Sequence, residues 1–212
     1  MSQPCNTKCT IAAPGKVDSE LSEFWVENPW NIIDQGFNLS CYERKRAYLN
    51  VKGQNFLEIS HLTGADNDGD GRSVIAADFF NTGRLDLLVR QVGGGPLFLY
   101  ENRFPQKHFL KVTLRGRESN RQGIGARLTA VVGGQPLVRE MYPYNSYRSE
   151  APNIVHFGLA DRDTVDSLTI RWPSGKVQEF HGLKGDRHIV IDESSNGPEA
   201  IETVVPGRTI RP

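Results

Sequence analysis

Asp66, Asp68 and Asp70 stand on alternate residues of the stretch GADNDGDGRSVIAADFFNTGRLDLL, and Gly71 follows them. Calcium takes six to eight oxygens, and a D-x-D-x-D-G run supplies them because alternate side chains of a curled backbone converge while glycine permits the sharp turn. Three carboxylates packed this closely repel one another unless they are solvated or bridged by a cation. Calcium is therefore the expected cofactor, with Asp66, Asp68 and Asp70 as ligands and Asp78 as a further oxygen donor if the chain folds back. The competing reading is a polar turn held by Asx hydrogen bonds from the same residues. An EF-hand is excluded, since its twelfth position needs a bidentate Glu where this chain has Ala77, and no flanking helices are readable.

A second cluster belongs to recognition rather than to metal chemistry. MYPYNSYRSEAP gathers Tyr142, Tyr144, Asn145, Tyr147 and Arg148 in one loop. Rigid aromatics with small polar groups are the composition of binding surfaces. The alternative is a loop whose tyrosines cover one end of a β-barrel.

Catalytic constellations are not readable. The five histidines, at 61, 108, 156, 181 and 188, show neither H-x-x-x-H nor H-E-x-x-H spacing, and no G-x-S-x-G occurs. His156 in VHFGL lies inside a strand pattern and reads as a structural histidine. Gly123-Ile124-Gly125 lacks the third glycine and the βαβ setting of a dinucleotide loop, so it reads as a tight turn entering a strand. RWPSGK reads as a hairpin with Trp172 facing the core, and not as a phosphate loop. Cys5, Cys9 and Cys41 are too few for a disulfide scaffold, and the Cys5-x-x-x-Cys9 spacing is not that of a redox motif or zinc knuckle.

The elements that must position these residues are strands. Gly 21 and Pro 12 in 212 residues punctuate many short runs of Val, Ile, Leu, Tyr and Phe, which favours an all-β chain. Lys+Arg and Asp+Glu balance at 25 each, so a general polyanion binder is not expected and nucleic acid is not an expected partner. No run approaches the ~20 apolar residues of a membrane span, and the opening stretch has no basic n-region followed by an apolar h-region. The expectation is a chain without a membrane span or a standard export leader.

Four segments follow from the pattern: an irregular N-terminal arm over 1–38, a meander of short strands over 39–104, a second β-domain over 105–193, and a flexible tail over 194–212. Within the second series Leu168, Ile170 and Trp172 alternate with Thr169 and Arg171, which buries one face and wets the other.

NLSCYERKRAYLN, SVIAADFFNTGRLDLLV, SNRQGIGARL, HFGLA, VDSLTIRWPSGKVQEF and the closing IVIDE together resemble the C-terminal part of the cartilage acidic protein-like family, in which FG-GAP/VCBS propeller repeats precede an ASPIC/UnbV domain. The resemblance implies a partial propeller blade followed by an ASPIC/UnbV β-sandwich or barrel. The strands before residue 104 amount to little more than one blade, and a closed propeller needs at least four. Such a blade either pairs with a complementary propeller chain or packs against the domain that follows it. An FG-GAP calcium loop asks for a carboxylate at its ninth position, which counted from Asp66 is Val74. In DFFNTGRLD, Asp78, Gly83 and Asp86 keep their places, but Phe80 and Thr82 stand at ligand positions and Arg84 opposes a cation. This second loop is expected to survive only as a turn.

The functional expectation is a non-catalytic interaction module, calcium-stabilised, that binds a protein or a glycan, with homo-oligomerisation as a further outcome of an open blade edge. The alternatives are an accessory protein in bacterial biosynthesis or assembly, and a hidden hydrolase. Relatives are usually extracellular or periplasmic, so the resemblance and the missing leader leave localisation open.

Overall fold

The computed structural model describes residues 43–51, 53–69, 71–91, 96–144, 146–147, 149–197 and 201–204. Asp70, Asn145 and Arg148, together with the N-terminal arm up to residue 38, lie outside the described residues. The chain is almost entirely strand: β1 (Tyr48–Val51), β2 (Asn55–Glu58), the one-turn helix α1 (Ser60–Thr63), β3 (Gly71–Ala77), β4 (Asp86–Gln91), β5 (Phe98–Tyr100), β6 (His108–Arg115), β7 (Arg127–Val132), β8 (Gln135–Glu140), β9 (Val155–Ala160), β10 (Thr164–Arg171), β11 (Val177–Lys184), β12 (Arg187–Asp192) and β13 (Ile201–Val204). Among the described residues no helix is long and apolar enough to cross a membrane.

Two compact units result, one of residues 1–74 and 89–100, the other of 75–88 and 101–212. In the first, β1 and β2 pair antiparallel with Leu49 opposite Leu57. Every residue of these two strands is exposed. A separate three-stranded sheet runs in the order β3-β4-β5.

The second unit is built on two four-stranded sheets, β11-β10-β7-β8 and β13-β12-β6-β9, that share one core. Strict alternation supplies it: Leu110, Val112 and Leu114 from β6 face Leu128 and Ala130 from β7 and Leu168 and Ile170 from β10. Each of these Leu, Val and Ile side chains contributes about 1.5–3 kcal/mol by leaving water. Trp172 is buried, as the alternation along β10 predicts, and its indole N–H donates to Gln178 Oε1 at 2.6 Å. β6 pairs parallel with β12 and antiparallel with β9, which puts it in the middle of its sheet.

Two placements differ from the segment boundaries read in the sequence. Ile75–Leu88 groups with the β-domain and not with the meander, because side chains from β6 and β9 hold the turn it contains. Ile201–Val204, inside the segment whose composition suggests a tail, pairs with β12 over Ile191↔Ile201 to His188↔Val204, and Ile201 packs against the core. An apolar residue at the right register outweighs the polar composition around it.

Candidate functional site

The outer face of β6 carries Phe109, Lys111 and Thr113, while its inner face is apolar. Lys111 is only 7% exposed. Burying an ammonium is costly unless it is paired and hydrogen-bonded, and residues 75–88 supply the partners. Lys111 Nζ donates to Asp78 Oδ2 at 2.7 Å and to Asn81 Oδ1 at 3.2 Å. Asp78 in turn accepts the Thr82 amide on Oδ1 at 2.8 Å and the Gly83 amide on Oδ2 at 2.9 Å. Asp86 is likewise spent on backbone, accepting the amides of Phe79 and Asn102. Both aspartates of this loop therefore organise a turn, and the positive charge beside Asp78 is an ammonium.

His156 on β9 completes the attachment. Its Nε2 lies 2.8 Å from the Gly83 carbonyl, and its ring stacks on Phe109 at 6.0 Å between centroids and 8° between planes. Gly83 has φ +83, and a Cβ added there would overlap the Phe109 ring. Only glycine fits both the backbone and the space. Burial pulls the His156 pKa below its ordinary 6.5, against the opposing pull of the Gly83 carbonyl and the Asp78 charge. His188, hydrogen-bonded to Thr113 Oγ1 at 2.8 Å, is lowered for the same reason and by Lys111.

A cavity of ≈ 330 Å³ opens beside this pair. Asp78, Lys111 and His156 form part of its wall, Arg139 and Tyr142 another part, and Ala76 and Ile154 belong to its apolar lining. A volume of this size suits a small ligand or one residue of a polymer. Tyr142 is 62% exposed, and Tyr144 meets it edge-on with centroids 6.1 Å apart. Of the loop residues read as a recognition surface, Tyr142 thus lines the cavity and Tyr144 packs against it, while Tyr147 is exposed.

The first Asp-rich loop lies in the other unit. Asp66 Oδ2 pairs with Arg44 at 2.7 Å. Burial would raise the Asp66 pKa, but the hydrogen bond and charge of Arg44 outweigh it and lower the pKa. Lys45 Nζ sits among the loop oxygens, 2.8 Å from Asn67 Oδ1 and 2.7 Å from the Gly69 carbonyl. Asn67 Oδ1 also accepts from Gln91 Nε2 and the Gly69 amide. The described oxygens of this loop thus turn toward an ammonium and a guanidinium of the chain itself. Among the described residues no three His, Cys, Asp or Glu side chains are arranged to hold a metal. Asp78 belongs to the second unit, where its salt-bridge partner is Lys111.

A third arrangement explains the SNRQGIGAR and WPSG motifs. Glu193, 1% exposed at the end of β12, accepts the amides of Arg117, Glu118 and Ser119 and the hydroxyls of Ser119 and Ser174 at 2.6–3.0 Å. Burial would raise its pKa, yet the Ser174 hydroxyl, the Arg117 and Ser119 amides and the Ser119 hydroxyl lower it from 4.5 to about 2. Asp192, beside it, is held well below the ordinary carboxylate range by Arg117, whose Nη2 is 2.7 Å away. Gly123, with φ +66, turns the chain where a Cβ would come within 2.8 Å of Leu114 Cβ and 3.2 Å of the Trp172 ring. These motif residues close one end of the sandwich.

Sequence reasoning did not find Lys111, Arg139 or the role of His156. The available signal was a lysine in the centre of an apolar strand, HFLKVTL, on the same face as Phe109, which marks a sheet whose second face is also covered.

No curated protein matches the chain. Among solved structures, one described as the NMR structure of a protein from Eubacterium rectale aligns at 12% identity over 52% of this chain and 100% of that one, with a TM-score of 0.29. Residues 116–198, which run from the loop around Glu193 through β7–β12, match the family model described as ASPIC and UnbV.

Proposed function

We propose that the second unit is a non-catalytic binding module that takes a glycan or protein group into the cavity beside Lys111. The observation that carries this reading is a cavity of ≈ 330 Å³ whose wall includes a buried ion pair and a histidine hydrogen-bonded to a backbone carbonyl, with exposed tyrosines at one side. Preformed polar groups on a rigid sheet, flanked by amphipathic aromatics, favour binding at low ordering cost. Both Asp78 oxygens already accept hydrogen bonds, and no Ser, Thr or Cys is among the described residues that line the cavity, which supports recognition over covalent chemistry. The matched ASPIC and UnbV segment contributes Arg139 and His156, while Asp78 and Lys111 precede it.

For the first unit we propose a blade-like, FG-GAP/VCBS-type segment that joins a complementary chain. The exposed Leu49, Val51 and Leu57, which share one face of the β1–β2 pair, support this, since contiguous exposed apolar side chains mark interaction sites.

The cavity reading is tested by screening the intact chain against glycan and peptide arrays, then repeating every hit with Ala76→Phe, which fills the mouth from an exposed position. Hits that vanish with the filled cavity support the reading. Hits indifferent to Ala76→Phe overturn it.

A further inference from the structure

Resting on the cavity reading above, we infer that the group bound there is a hydroxylated carboxylic acid of the sugar-acid type, its carboxylate held by Arg139 and one hydroxyl donating to His156 Nδ1.

Arg139 is placed for this by the alternation of β8. Leu137 packs against the core and Met141 is buried, Arg139 stands at the alternate position between them, and both Arg139 and its neighbour Glu140 line the cavity. The guanidinium lies over the Phe157 ring, 5.9 Å from its centroid, and gives one N–H to the Val138 carbonyl at 2.8 Å. Among the described residues it has no carboxylate partner. A guanidinium has five donors in a planar fork that matches a carboxylate, so most of its capacity remains for a ligand. Lys111 spends donors on Asp78 and Asn81, and its ammonium has three.

His156 sets the second requirement. The Gly83 carbonyl can only accept, so the proton sits on Nε2 and the neutral ring presents Nδ1 as an acceptor. Among the described residues nothing donates to Nδ1. The lowered pKa keeps the ring neutral at pH 7. A ligand must therefore bring a donor of its own to a place that also holds Lys111 and Arg139. Lys111 is neutralised by Asp78, which leaves Arg139 as the cation that calls for an anion, and a hydroxyl meets the neutral imidazole acceptor without bringing a second charge. Carboxylate and hydroxyl on one compact frame describe a sugar acid. The Tyr142 ring, with Tyr144 edge-on to it, offers an apolar face to the C–H side of such a frame.

The test titrates the full chain with D-glucuronate, D-glucose, acetate and a disaccharide ending in glucuronate, read by calorimetry and by the His156 imidazole resonances. Glucuronate is expected to bind at least about tenfold more tightly than glucose or acetate and to shift His156. Arg139→Gln should remove that advantage while leaving the melting temperature in place, since Arg139 is exposed. A disaccharide that binds more tightly than the free acid identifies a polymer end as the source; equal binding identifies the free acid. Glucose binding as well as glucuronate, an unaltered Arg139→Gln titration, or no binding by any of the four overturns the sugar-acid assignment. The cavity reading survives each of these if an array ligand is still lost with Ala76→Phe, and falls only if none is.

Discussion

Lys111 Nζ and Asp78 Oδ2 are 2.7 Å apart, with their side chains 9% and 3% exposed, and this one pair fastens the turn of residues 78–83 to the outer face of β6. Removing either partner strands the other charge in a buried setting, which typically costs about 3–5 kcal/mol. Lys111→Ala and Asp78→Ala are each expected to lower the melting temperature by roughly 6–20 °C for a chain of this length. The double variant should lose clearly less than the sum of the two, because no orphaned charge remains. Additive losses would show that the pair is not coupled.

Alongside Asp192, Glu193 is expected to contribute strongly to acid stability. Its folded pKa of about 2 lies below the ordinary 4.5, so its contribution is complete above pH 4.5 and is lost as the pH falls from 4.5 through 2. The shift corresponds to roughly 3 kcal/mol. Urea midpoints measured between pH 6 and 2 should fall steeply in that window, and Glu193→Gln should flatten the fall. Ser119→Ala and Ser174→Ala should each reproduce part of the loss.

His156 and His188 add a separate step at higher pH. Their folded pKa values are lowered from 6.5, so the neutral rings favour the fold above pH 6.5 and that contribution is lost as the pH drops below it. Urea midpoints between pH 7.5 and 5 should decline in the native chain, and His156→Phe should weaken the decline. A flat profile in the native chain counts against buried neutral imidazoles.

Gly83→Ala should detach the turn. The substitution meets the Phe109 ring and a φ of +83 at once, so it is expected to cost ~1–3 kcal/mol. Pairing it with Phe109→Ala should relieve the overlap but not the backbone strain. The His156 imidazole resonances should move in Gly83→Ala, because Nε2 loses a well-placed carbonyl.

Calcium is expected to leave the melting temperature unchanged, within about 1 °C, between chelator and millimolar calcium. Arg44 and Lys45 already face Asp66 and the Asn67 and Gly69 oxygens. A rise of several degrees with calcium, abolished by Asp68→Ala, would show instead that the loop releases its internal cations to a metal.

What the sequence determined by itself is what short-range chemistry controls. Period-two alternation in Leu168, Ile170 and Trp172 forecasts their burial, and Pro173, Ser174 and Gly175 forecast the hairpin. The SNRQGIGAR, WPSG and IDE segments are legible as motifs, yet nothing local says that they meet. Only the fold brings Ser119, Ser174 and Glu193 together, because the parallel pairing of β6 with β12 sets the start of one loop beside the end of β12. The Asp-rich loops show the same limit from the other side. Their spacing specifies a set of oxygens, but spacing cannot say which cation they meet, since Lys45 is 22 residues from Asn67 and Lys111 is 33 from Asp78. An ammonium that arrives through tertiary packing competes for the same oxygens as a metal, and which of them prevails depends on distances that exist only in the folded chain.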